Sequence, residues 1–162
     1  MITENYVFFW GGICSQWYAS EFQIDGQKYN CAEQYMMYKK ALLFEDEEVA
    51  NAIMRTQNPK EQKALGRKVR GFNKEKWEEV CREYVYEANY AKFTQNPKLL
   101  EELMSYGNRE IVEASPYDKI WGIGLHETSP DIEDKSKWQG TNWLGEAIMR
   151  TKEQIIKETI EA

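Results

Sequence analysis

The chain has 162 residues, 42% of them hydrophobic and 14% aromatic, enough for a packed core and for one domain spanning residues 1–162. Its net charge of −6 argues against broad, non-specific affinity for nucleic acid, which draws on many phosphate-neutralising Lys and Arg. No apolar run approaches the ~20 residues needed to cross a bilayer, so no membrane partner is expected. The first residues lack the basic and long apolar regions of a secretory signal, which leaves the cytoplasm as the expected compartment. Cys14, Cys31 and Cys81 lack the paired spacing of a zinc site, and His126 is the sole histidine. Reduced, buried thiols and no metal are therefore expected.

In chain order, Tyr6 to Trp10 before Gly11-Gly12 has the pattern of a short strand ending in a turn. Glu21 to Ile24 and Gln27 to Asn30 flank Asp25-Gly26, the dipeptide preferred by two-residue hairpins, so the first thirty residues are expected to form one small sheet. The period then becomes helical. One helix is predicted from Ala32 to Phe44, and a second, capped by Asp46, runs to about Thr56. Asn58-Pro59 opens a third that Gly71 closes. Asn73 caps a long fourth helix with a buried stripe of Trp77, Cys81, Tyr84, Ala88 and Ala91. Asn96-Pro97 starts a fifth that ends at Gly107. Arg109 to Ala114 is expected as a strand, residues 122–140 as a long loop, and Asn142 as the cap of a last helix running to about Glu158. The expected class is α+β, a single, predominantly helical domain with a small β-sheet.

Three groupings have the residue types of a site. Glu33, Met37 and Lys40 fall at i, i+4 and i+7 and share one helix face. Glu33 is then either a helix-start acid or a general acid/base, and Lys40 either a snorkelling side chain or a nucleophilic amine. Glu113, Ser115, Tyr117, Asp118 and Trp121 lie within nine residues, before Gly122 and Gly124, where a ligand can approach the backbone. Asp118 is either a turn-forming residue or a second acid, and Trp121 either core or a stacking face. Between residues 58 and 76, seven basic and two acidic residues give a local balance of +5. There Lys63, Arg67 and Arg70 align as a solvated stripe or a phosphate grip. Phe8, Trp10 and Trp17 add aromatic surface beside Gly11 and Gly12.

The segments FWGGICSQWYASEF (9–22), AEQYMMYKKALLF (32–44), GRKVRGF (66–72), ANYAKF (88–93), EASPYDKIWGIGL (113–125) and GTNWLGEAIM (140–149) together resemble the NADAR, or YbiA-like, family. Their order covers residues 8 to 150. The resemblance implies a mainly helical α+β domain and cleavage of a ribose–nitrogen bond, in phosphoribosylated riboflavin intermediates or in ADP-ribose attached to guanine. It also implies that Glu33 matches the family's essential acid, Lys40 a Lys that acts on the ribose C1, Asp118 and Trp121 the acid and aromatic of the DxxWG motif, and Asn142 the Asn before the last helix. The chain departs from the pattern at Ser15-Gln16-Trp17, where Ser-Asn-Phe is common, and in its longer loop from Gly122 to Gly140 with Trp138. Those departures bear on substrate choice.

The functional expectation is a cofactor-free, metal-independent N-glycosidase with Glu33, Lys40 and Asp118 as catalytic residues, Asp118 facing Glu33 across a cleft. Trp10, Ser15, Gln16, Arg67, Arg70, Trp121, Gly122 and Asn142 are the expected substrate-binding residues. The expected partner is a ribosylated or ADP-ribosylated nucleobase, free or in modified DNA or RNA. The rival is a module that binds ADP-ribose or a nucleotide without cleaving it, for which the Glu33 and Lys40 pair is not required.

Overall fold

A computed structural model describes all residues, 1–162. Six α-helices and one 3₁₀ turn make the chain 51% helical and accompany two two-stranded sheets, the α+β, mainly helical class expected. The chain divides into two compact units, Gln16–Asn96 and a second built from Met1–Ser15 with Pro97–Ala162.

In the Gln16–Asn96 unit, β2 (Phe22–Ile24) and β3 (Gln27–Tyr29) pair antiparallel, Phe22 opposite Tyr29. Asp25 and Gly26 both take positive φ, 52° and 79°, the left-handed pair that a two-residue primed turn requires. Four helices follow: α1 (Ala32–Leu43), α2 (Glu47–Arg55), α3 (Pro59–Gly66) and α4 (Lys74–Gln95). The expected caps form. Asp46 accepts the Val49 amide, Asn58 that of Lys60 and Asn73 that of Lys76, each satisfying a donor the first helical turn cannot. The third helix stops at Gly66 and not at Gly71, which sits with φ 74° in the connection to α4. Phe22, Tyr29, Ala32, Tyr35, Ala88 and Ala91 form one core, in which small Ala residues on α4 let aromatic rings from the hairpin and α1 approach.

In the other unit, β1 (Tyr6–Phe9) pairs in parallel with β4 (Glu110–Glu113), Tyr6 opposite Glu110. The expectation that residues 1–30 share one sheet is therefore wrong. The hydrophobic run of β1 is that of a buried parallel strand, and its partner lies about a hundred residues on, where no local turn signal can announce it. Phe8, Val112, Ala114, Ile123 and Ile132 form the core here. This unit also contains α5 (Pro97–Ser105), a short 3₁₀ turn at Lys135–Lys137 and α6 (Trp143–Glu161), which packs on β4.

Candidate active site

The first turn of α1 carries Glu33. Its residue is only 7% exposed, and its amide donates to the Gln16 carbonyl at 3.0 Å, so the backbone of an upstream loop satisfies a donor left open by the helix start. Two turns along the same face lies Lys40, half-buried. Burial lowers the Lys40 pKa, Glu33 pulls it back up, and Arg67 pushes it further down. The Lys40 ammonium stands 4.7 Å from the centroid of Phe72 and 5.8 Å from that of Trp77, within reach of both ring faces. Electrostatic coupling thus joins Glu33, Lys40 and Arg67, as the helical spacing of the first two foretells.

Arg67 gets there because α3 ends against α1. A Cβ on Gly66 would overlap the Met37 sulfur, so the glycine permits the close approach that sets the next residue beside Lys40. Arg67 is exposed and forms no ion pair. Arg70 does not join it. Its Nε and Nη2 donate to Asp46 Oδ2 and Oδ1 at 3.1 and 2.8 Å, and its backbone amide donates to Oδ2 at 2.9 Å. That guanidinium holds the Asp46 carboxyl well below the usual carboxylate range. Arg70 Nε and Nη2 are thereby committed to a bidentate carboxylate, which sets Arg70 apart from Arg67. Lys63 lies 5.9 Å from the Trp17 ring, so the three cations of the expected stripe have different surroundings.

Two residues of this unit escaped the sequence reading. Asn89 and Lys92 are both fully buried on α4. Asn89 Nδ2 donates to Gln16 Oε1 at 3.0 Å and to the Val85 carbonyl at 2.8 Å. The Lys92 ammonium lies 5.7 Å from the Tyr18 ring, and its charge opposes that of Glu33 at the buried Cys31 thiol, which burial pushes up to about 11. Both lie in the ANYAKF segment (88–93) that carries the family resemblance, an Asn and a Lys three residues apart on the face of α4 otherwise lined by Ala.

In the other unit, the Ser115–Gly124 segment is stitched to β4 and α6. Asp118 Oδ1 accepts the amides of Ile120 and Trp121 at 2.9 and 2.8 Å, the bonding of a turn former. Gly122 is buried; a Cβ there would lie 2.9 Å from both the Glu113 carbonyl and Glu113 Oε2, and 3.0 Å from the Asp118 carbonyl. Chain packing, rather than room for a ligand, demands this glycine. Asn142 is corrected as a cap. It adopts the left-handed conformation with φ 53° and makes no side-chain cap. Its Oδ1 instead accepts the Glu113 amide at 2.9 Å, and its Nδ2 donates to the Ile111 carbonyl at 3.0 Å, filling the open edge of β4. Trp121, half-buried, meets Trp143 edge to face at 5.7 Å.

Trp10, 48% exposed, contacts the rings of Tyr117 at 5.6 Å and His126 at 5.7 Å. It borders a cavity of about 420 Å³ that Gly11, Gly12, Cys14 and Tyr106 also line. Ser15 is half-buried in the turn closed by its amide on the Gly12 carbonyl. No helix is long and apolar enough to cross a membrane.

Taken together, α1 offers a buried carboxylate and a partly desolvated amine, the groups needed to protonate a leaving nitrogen and to attack an electrophilic carbon. The chain is 42% identical over 167 residues to N-glycosidase R617 of Acanthamoeba polyphaga mimivirus, a match covering 95% of this chain and 98% of that one. It is 28% identical to N-glycosidase YbiA of Escherichia coli, over 91% of this chain and 83% of the relative. The NMR structure of E. coli YbiA superposes with a TM-score of 0.81 at 25% identity, covering 100% of this chain and 91% of that one. The sequence profile of the NADAR domain matches residues 8–156, and the chain belongs to the NADAR domain family.

Proposed function

We propose that the N-glycosidase activity of this chain cleaves the bond between a nucleobase, or base-like amine, and ribose phosphate or ADP-ribose, with Glu33 and Lys40 as the reacting pair. The observation that carries this reading is the placement of both groups on one face of α1, the acid almost wholly buried and the amine depressed by burial. Seven residues of helix separate their Cα atoms by ~10 Å, a span that long side chains close around one sugar ring.

Breaking the C1′–N bond requires a proton on the leaving nitrogen and a place for the positive charge that builds at C1′. The Lys40 amine attacks C1′, the electron pair of the C1′–N bond leaves with the base, and Glu33 gives that base its proton. The sugar ring opens to a protonated imine on Lys40. Water then adds to C1′ and releases the amine, so that the base departs with hydrogen and the sugar with hydroxyl. Desolvation favours this route because it enlarges the neutral fraction of Lys40. Arg67 neutralises substrate phosphate, and Gln16 contacts the sugar.

The test incubates the protein in parallel with a guanine-ADP-ribosylated oligonucleotide and with the phosphoribosylated riboflavin intermediate, and follows release by mass spectrometry. Turnover of one of them, lost in Glu33→Gln, with borohydride-trapped sugar on Lys40, is the expected result. Tight product binding with no turnover on either substrate establishes a binding module instead.

A further inference from the structure

Asn89 sits at the centre of α4 with 0% of its surface exposed, and nothing in the proposed chemistry uses it. Its side chain has a fixed orientation. The Val85 carbonyl, 2.8 Å away, only accepts, so the Asn89 amide must turn its NH₂ towards it. The same NH₂ donates to Gln16 at 3.0 Å, which forces Gln16 to present Oε1 to Asn89. Gln16 Nε2 then points the other way, where it meets only the Met36 thioether at 4.0 Å, a weak acceptor at long range. Met36 lies one turn after Glu33 on α1, and the Gln16 carbonyl receives the Glu33 amide. A donor with spare capacity therefore stands on the Glu33 side of the loop. Asn89 Oδ1, buried and without a hydrogen-bond partner, is what this orientation leaves unsatisfied.

We propose that Asn89 is a specificity-determining positioning residue that locks the Gln16 amide with its NH₂ outward, so that Gln16 Nε2 donates to an acceptor oxygen of the substrate beside Glu33. This rests on the assignment of Glu33 as the proton donor. The substrate feature recognised is a hydroxyl or carbonyl oxygen next to the scissile C1′–N bond, and a group that only donates at that place is rejected. An orientation relay of this kind needs no contact between Asn89 and the substrate.

The test compares wild type with Asn89→Asp, Gln16→Met, the double variant and Glu33→Gln. It measures kcat and KM from pH 5 to 9 on whichever of the two substrates above is turned over, with melting temperature at each pH. Ionised Asp at position 89 cannot donate, so Gln16 flips and offers its oxygen to the substrate. The expected loss in kcat/KM is at least tenfold at neutral pH, recovering towards acid as the carboxyl is protonated and donates again. Gln16→Met shows a similar loss without acid recovery, and the double variant is no worse than Gln16→Met alone. Asn89→Asp within twofold of wild type overturns the inference, as does a loss that persists in full on the Gln16→Met background. If Asn89→Asp does not fold, Gln16→Met with wild-type kcat/KM overturns it instead. Wild-type turnover by Glu33→Gln refutes the Glu33 assignment itself, whereas an inactive Glu33→Gln beside an unaffected Asn89→Asp refutes the relay alone.

Discussion

Gly122 separates two explanations of the same residue, and Gly122→Ala tests them. If the glycine exists to let a ligand reach the backbone, adding a methyl group weakens substrate binding and leaves stability alone. Packing predicts the opposite. The new Cβ would face three oxygens at 2.9, 2.9 and 3.0 Å, about half an ångström inside the ~3.3–3.6 Å of a close carbon–oxygen contact. Two of the three are backbone carbonyls, and both are engaged: Glu113 accepts the Ile123 amide at 3.0 Å, and Asp118 accepts that of Gly124 at 3.2 Å. Neither can retreat without stretching a hydrogen bond. Overpacking at a rigid site costs ~1–3 kcal/mol, and weakening the two bonds adds about 1 kcal/mol. At ~2–4 °C per kcal/mol for a domain of this size, the melting temperature falls by roughly 5–15 °C. Thermal unfolding followed by circular dichroism, at fixed protein concentration, reads this directly. An unchanged melting temperature with a raised KM would refute the packing explanation.

Asn142→Ala removes the partners of the Glu113 amide and the Ile111 carbonyl, and is expected to cost ~2–5 kcal/mol in urea unfolding; Asn142→Gly costs less because it relieves the left-handed backbone. Asp46→Asn breaks the Arg70 fork and lowers the melting temperature at neutral pH. Because the folded Asp46 carboxyl titrates below its unfolded value, its contribution is present above about pH 4 and is lost as pH falls through the folded pKa, so wild type and Asp46→Asn converge in acid. If Lys40 acts as a free amine, kcat rises with pH through the Lys40 titration. Arg67→Gln, by removing a charge that disfavours the ammonium, moves that limb to higher pH. A limb that stays in place in Arg67→Gln counts against Lys40 as the titrating nucleophile.

Local chemistry was legible where a few neighbouring residues decide it. The Asp25-Gly26 turn and the caps at Asp46, Asn58 and Asn73 form because a side-chain oxygen or a left-handed residue acts within three positions of itself. The pairing of β1 with β4 was not legible, since a parallel pair carries no hairpin and its partner is fixed by burial of both strands. Asn142 shows the same limit. An Asn before a helix has the composition of an N-cap, yet its amide is worth more on the edge of β4, where two backbone groups would otherwise be buried without partners.

Spacing and density carry different weight. The seven-residue interval between Glu33 and Lys40 puts both on one helix face whatever the rest of the chain does. The crowding of Glu113, Ser115, Tyr117, Asp118 and Trp121 suggested chemistry, but polar residues crowd equally where a chain turns sharply against a strand edge, and Asp118 and Gly122 have structural duties there. A stripe of aligned charge likewise says nothing of which cation a buried carboxylate binds, here Arg70 by Asp46. Asn89 is the converse case, a buried amide concealed in an Ala-rich face whose consequence lies two hydrogen-bonding groups away at Gln16 Nε2. Asn89 lies inside the ANYAKF segment, but a sequence match gives it no role, whereas the donor and acceptor accounting of the folded chain does.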